Sequence, residues 1–165
     1  MKLHLSILIM ISVFLSFHLM ANFATDSLLI ELRTTPKNKE KTLLLNELSK
    51  TFRLTQLDSS IYYAKSGFRL ATEISYSLGI AENAASIADY YVMYDSLNKA
   101  KEYYTLASKY FEELEMDFDY AELLMVLGNI YLSQSNHSEA LMHYQKSQFI
   151  SEENNFYTIL PHVYN

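Results

Sequence analysis

The chain has 165 residues, half of them apolar, with no cysteine, three glycines, two prolines and a formal charge of −6. This length suggests one domain, and so little Gly and Pro disfavours a turn-rich all-β fold and points to long helices joined by short turns. The absence of cysteine excludes disulfides, thiolate catalysis, cysteine-ligated zinc and a lipidated N-terminal cysteine. Acids and bases are mixed without a clustered basic face, which argues against nucleic acid as a partner of this region.

In chain order, Lys2 is followed by an apolar run from Leu3 to Met20 that holds no acid and no second lysine or arginine. One positive charge and then an apolar stretch is the pattern of a secretory signal, and Ala21 and Ala24 supply small residues for cleavage. The same run approaches the roughly 20 residues that span a bilayer. Residues 1–24 therefore read as a signal peptide or a membrane anchor, with residues 3–20 as the anchoring stretch. Either way the remainder is expected outside the cytoplasmic membrane, periplasmic or in the cell envelope of a bacterium. Residues 25–37 read as a linker, and Thr35-Pro36 as the opening of the first repeat helix, since proline is tolerated at a first helical position.

From residue 38 the chain repeats itself. Leu124-Met125-Val126-Leu127-Gly128-Asn129-Ile130-Tyr131 aligns with Ala84-Ala85-Ser86-Ile87-Ala88-Asp89-Tyr90-Tyr91 at an offset of 40. Nine residues beyond each Tyr stands Ala100 or Ala140, then an aromatic, Tyr104 or Tyr144, and then a small residue, Ala107 or Ser147. An earlier, degenerate copy uses Leu45, Leu48, Ser49 and Phe52, and then Ser60, Ala64 and Gly67. Its offset from the second copy is 39 in the first half and 40 in the second, so one residue is missing from its internal turn. Leu124, Leu127, Gly128 and Tyr131 form one stripe of a helix, and Ala140, Tyr144 and Ser147 the facing stripe of another. Small residues suit the points of close approach, and the rings fill the gaps beside them. The pattern predicts an all-α solenoid of three antiparallel helix pairs over 38–155 (about 38–78, 79–116 and 117–155), with 156–165 as the start of a truncated fourth repeat. Helix starts are expected at Asp58, at Asp95 or Ser96, at Asp117 or Asp119, and at Asn136 or Ser138. Gly79 is expected at a helix end, where positive φ is useful.

This order of small and aromatic residues resembles the tetratricopeptide-repeat (TPR) signature, and is similar to the long-repeat type of bacterial envelope proteins. The structural repeat positions are Leu45, Ser49, Phe52, Ala88, Tyr91, Ala100, Tyr104, Gly128, Tyr131, Ala140 and Tyr144. Two features depart from the family. The proline expected after the second helix is absent, and the period is 40 where about 34 is usual, which implies about 9 Å of extra helix per repeat.

The resemblance implies a partner surface on the concave face lined by first helices. Side chains flanking the packing stripe there include Asn46, Lys50 and Arg53, then Glu82, Ala85, Asp89, Val92 and Met93, then Glu122, Met125, Asn129, Leu132 and Ser133. The candidate partner-binding residues are Lys50, Arg53, Glu82, Asp89, Glu122, Met125 and Asn129. Asn129 stands where many TPR proteins hold a peptide backbone. Met125, one turn earlier, replaces the lysine of the chaperone-tail-binding members, so their carboxylate clamp is not reproduced. No catalytic motif, metal-ligand spacing or phosphate loop occurs, and no cofactor is expected. An enzyme would have only Glu82, Asp89 and Glu122 to work with, in an open groove. The expected function is a non-enzymatic module that binds a protein or peptide partner. The alternative is the N-terminal sensor part of a bacterial membrane histidine kinase or transcriptional regulator whose output domain lies beyond Asn165.

Overall fold

The computed structural model describes residues 25–156 and 159. The proposed signal or anchor over 1–24 and most of the proposed fourth repeat lie outside the described residues. The chain divides into two compact units, Met1–Pro36 and Lys37–Asn165.

In the first unit, residues 25–34 form helix α1, where a linker was expected. Leu28, Leu29, Glu31, Leu32 and Arg33 are strong helix formers. The Thr34 and Thr35 hydroxyls both donate back to the Glu31 carbonyl, at 3.1 and 2.8 Å. Pro36 then stops the helix, so Thr35-Pro36 closes α1 and does not open the next one.

The second unit holds α2 (Lys39–Phe52), α3 (Leu57–Glu73), α4 (Ser77–Met93), α5 (Leu97–Glu113), α6 (Asp117–Ser133) and α7 (His137–Asn154). Asn38 caps α2 by accepting from the Lys41 N–H, and Asn136 caps α7 by accepting from the Glu139 N–H. Asp58, expected as a cap, lies inside the first turn of α3, where a carboxylate favours the positive end of the helix dipole. Asp117 and Asp119 occupy the same region of α6.

Each helix from α3 onward ends in the same way. Ser75, Asp95, Glu115, Ser135 and Asn155 all take positive φ, between 52° and 59°, at intervals of 20 residues. At each of these turns the next N–H reaches back five residues: Tyr76 to Ala71, Ser96 to Tyr91, Met116 to Phe111, Asn136 to Tyr131 and Phe156 to Ser151, at 2.8–2.9 Å. This is the Schellman closure, which satisfies the orphan carbonyls of a helix end. No glycine takes part, and Gly79 is not at a helix end. It sits in the first turn of α4, where a Cβ would come within 2.7 Å of Thr42 Oγ1 and of the Tyr76 ring. The Cβ-free position serves close packing. Among the helix connections from α2 to α7, the α2–α3 turn alone lacks the left-handed residue: Arg53 stays right-handed and its N–H bonds Lys50. That is the turn where the first copy is one residue short.

Each helix packs chiefly on its hairpin partner, α2 on α3, α4 on α5 and α6 on α7, while α3–α4 and α5–α6 contacts join the hairpins. Ala84, Ala88, Ala100, Ala107 and Leu127 are buried at the close approaches, with Tyr104 and Phe111 between them. A Cβ on Gly128 would lie 2.5 Å from the Tyr144 ring. Beside each hairpin turn two rings stack: Phe52 on Tyr63, Tyr91 on Tyr103 and Tyr131 on His143, with centroids 5.6, 5.8 and 5.2 Å apart. Lys146 on α7 also reaches Glu112 on α5 at 3.0 Å and bonds the Tyr120 hydroxyl on α6. Hydrogen bonds from Tyr120 and Lys146 hold the Glu112 carboxyl below its ordinary range.

Candidate functional site

The first helices α2, α4 and α6 present their flanking residues to one pocket of about 230 Å³. Lys50 and Arg53 come from α2, Glu82 and Asp89 from α4, and Asp119 and Glu122 from α6. Ala85 on α4, Tyr104 and Phe111 on α5, and Leu123 and Val126 on α6 form the apolar part of its lining. Two cations and four carboxylates give the lining a net charge of −2.

The charges are ordered by specific bonds. Asn46 donates its amide to Glu82 at 3.1 Å, while the Ser86 hydroxyl donates to the Asn46 carbonyl oxygen at 2.6 Å. Asn46 is thereby buried between α2 and α4 and is not a groove contact, contrary to its expected place. Arg53 pairs with Asp89 across the hairpin boundary at 2.6 Å, with both side chains partly exposed. The other Asp89 oxygen accepts from the Tyr104 hydroxyl at 2.5 Å. Burial first, and the Asp89 carboxylate second, push the Tyr104 phenol well above its ordinary pKa, so it stays a donor.

Five of the predicted partner residues, Lys50, Arg53, Glu82, Asp89 and Glu122, thus share one pocket. Met125 and Asn129 do not line it. Met125 is half-buried on α6, and Asn129 is exposed, its side-chain oxygen accepting from the Tyr144 hydroxyl at 2.6 Å. The bonds from Tyr104 to Asp89 and from Tyr144 to Asn129 are the same bond one repeat apart. In the first copy Ala64 stands in place of the tyrosine, and Lys50 has no such partner.

Ser86, Tyr104, Phe111, Asp119, Leu123 and Val126 were missed as lining residues. One signal was present for Tyr104. A buried phenol needs a hydrogen-bond partner, and a polar residue stands 15 positions before the tyrosine in both later copies. No three His, Asp or Glu side chains converge as a metal site among the described residues. No described helix is long and apolar enough to cross a membrane.

Stacked antiparallel helices with small and aromatic residues at the close approaches define a TPR-like helical repeat. The crystal structure of aspartyl phosphate phosphatase F from Bacillus subtilis is similar over 76% of this chain and 33% of its own, with TM-score 0.69 and 20% identity. That of BtubC (BKLC) from P. vanneervenii is similar over 68% of this chain and 46% of its own, with TM-score 0.63 and 17% identity. At these identities the likeness is one of fold, and the chain spans a third of the first protein and under half of the second. No protein-family model and no curated protein matches the chain by sequence.

Proposed function

We propose that this chain is a non-enzymatic protein–protein interaction module that binds a partner polypeptide in the groove lined by α2, α4 and α6. The observation that carries the reading is the convergence of Lys50, Arg53, Glu82, Asp89 and Glu122 on one pocket. A preformed helical groove of this kind receives a partner segment without reorganising its own backbone. Asn129 extends the surface. Its oxygen is taken by Tyr144, which leaves the amide N–H groups to donate to a partner carbonyl. With residues 1–24 as signal or anchor, the module works outside the cytoplasmic membrane, as a long-repeat envelope protein. The experiment is site-specific photo-crosslinking of the full chain in its host. A photoreactive side chain at Glu122 should yield a partner adduct, and one at Arg69, on the outer side of α3, should not. Adducts from both positions, or from neither, would remove the groove from the proposal. Mass analysis of the mature N-terminus tests export separately, with a start near Ala21 to Thr25 expected for a cleaved signal.

A further inference from the structure

At the boundary between the first two hairpins the groove carboxylates are met from within the chain. Asn46 of α2 donates to Glu82 of α4 at 3.1 Å and accepts from Ser86, while Arg53 pairs with Asp89 at 2.6 Å. The repeat carries these positions forward. Asn46 becomes Ala85 and Arg53 becomes Val92 at an offset of 39, whereas Glu82 becomes Glu122, Ser86 becomes Val126 and Asp89 becomes Asn129 at an offset of 40. At the second boundary α4 thus brings an apolar side chain to each place where α2 brings a donor, yet the acid opposite is kept. Neither Glu122 nor Asp119, one turn before it on α6, makes a side-chain hydrogen bond or ion pair with a described residue.

Room accompanies the missing bonds. α2 packs directly on α4, whereas α6 meets the middle hairpin chiefly through α5, and Tyr104 and Phe111 of α5 line the pocket there. Asp119, Glu122, Leu123 and Val126 follow one another at helical spacing, which sets the two acids beside apolar lining on a single face of α6. Among the described residues no three His, Asp or Glu side chains are grouped to hold a metal ion. The complement of two open carboxylates beside apolar side chains is a cation on an apolar stem, which among side chains means lysine or arginine. Taking the groove as the partner site, as above, we propose that the partner segment brings a lysine or arginine between α4 and α6, its stem against Ala85 and Val126 and its charged head on Glu122 and Asp119. That side chain supplies the donor that Asn46 supplies to Glu82 one repeat earlier, and it offsets the −2 charge of the lining. An acidic residue at the same place would meet Glu82, Asp119 and Glu122 together and be repelled.

A random peptide library panned on the full-length chain in mild detergent tests the assignment. Enriched peptides should carry Lys or Arg at one fixed position beside an apolar residue. A synthetic peptide from that set should bind Glu122→Lys roughly tenfold more weakly, the scale of one hydrogen bond to a charged group. It should bind Glu102→Lys, exposed on α5 and outside the lining, with unchanged affinity. Ala85→Asn, which places an amide where Asn46 stands one repeat earlier, should weaken the same peptide with helicity unchanged. Ala85→Trp, checked in the same way by circular dichroism, fills the groove and should abolish binding of any groove ligand. Peptides that are lost to Ala85→Trp but carry no fixed base, or that bind Glu122→Lys as well as the unaltered chain, would overturn the basic-residue assignment and leave the groove in place. Peptides that survive Ala85→Trp, or no enrichment at all, would remove the groove itself and the assignment with it.

Discussion

The Tyr104 hydroxyl donates to Asp89 over 2.5 Å, tying the second helix of one hairpin to the first at the wall of the groove. Arg53, from the preceding hairpin, pairs with the same carboxylate at 2.6 Å. Asp89 is thus both a groove residue and a link between neighbouring repeats.

Tyr104→Phe should remove this bond while keeping the buried ring. The expected loss is about 1.5 kcal/mol, at the low end for a hydrogen bond to a charged group, read as a lower midpoint in urea. The same residue sets an alkaline limit. Its phenol is raised above the ordinary value, so the stability it contributes is intact below about pH 10, the unfolded value. Above that the unfolded chain gives up the proton first, and stability is lost as pH rises toward the folded value. Tyr104→Phe should flatten the decline above pH 10; an unchanged slope would show that another group causes it.

Gly128→Ala should destabilise the array although alanine is the better helix former. The new Cβ would stand 2.5 Å from the Tyr144 ring, and overpacking of this kind costs about 1–3 kcal/mol. Adding Tyr144→Ala should recover part of that loss, because the two changes act on one contact. Additive losses in thermal melts would separate them.

His143 occupies the place that Tyr103 holds in the previous hairpin, stacked on Tyr131. Burial, the largest cause, holds its pKa below the ordinary value, with Lys146 adding to the effect and Glu139 opposing it. The unfolded chain therefore takes up the proton first, near pH 6.5. Stability is intact above that value and falls as pH drops toward the folded pKa. His143→Tyr should remove this acid slope, measured as the melting temperature between about pH 7 and pH 5.

Glu115→Gly should raise stability by about 1 kcal/mol, since Glu115 holds φ 56° in a turn where glycine pays no Cβ penalty. Denaturant midpoints would check it. A drop would mean that the entropy of glycine in the unfolded chain outweighs the relief of strain.

The sequence by itself determined the all-helical character and the forty-residue period. Both follow from local chemistry: Leu124, Leu127, Gly128 and Tyr131 recur at helical spacing, and scarce Gly and Pro leave little else for the backbone to do. A cap at Asn136 or Ser138 was legible for the same reason, because a cap acts within three residues of itself, and the structure makes it Asn136. Only the tertiary structure decided what depends on contacts across helices. It turned Asn46 from a groove residue into a buried link between Glu82 and Ser86, and placed Gly79 against Thr42. It also assigned the left-handed turns to Ser75, Asp95, Glu115, Ser135 and Asn155. Two of those five residues are serine, two are Asp or Asn and one is glutamate, and none is glycine. At Asp95 and Asn155 the side chain itself tolerates that region, whereas at Ser75, Glu115 and Ser135 the turn follows from where the helices must end, which the residue alone does not show.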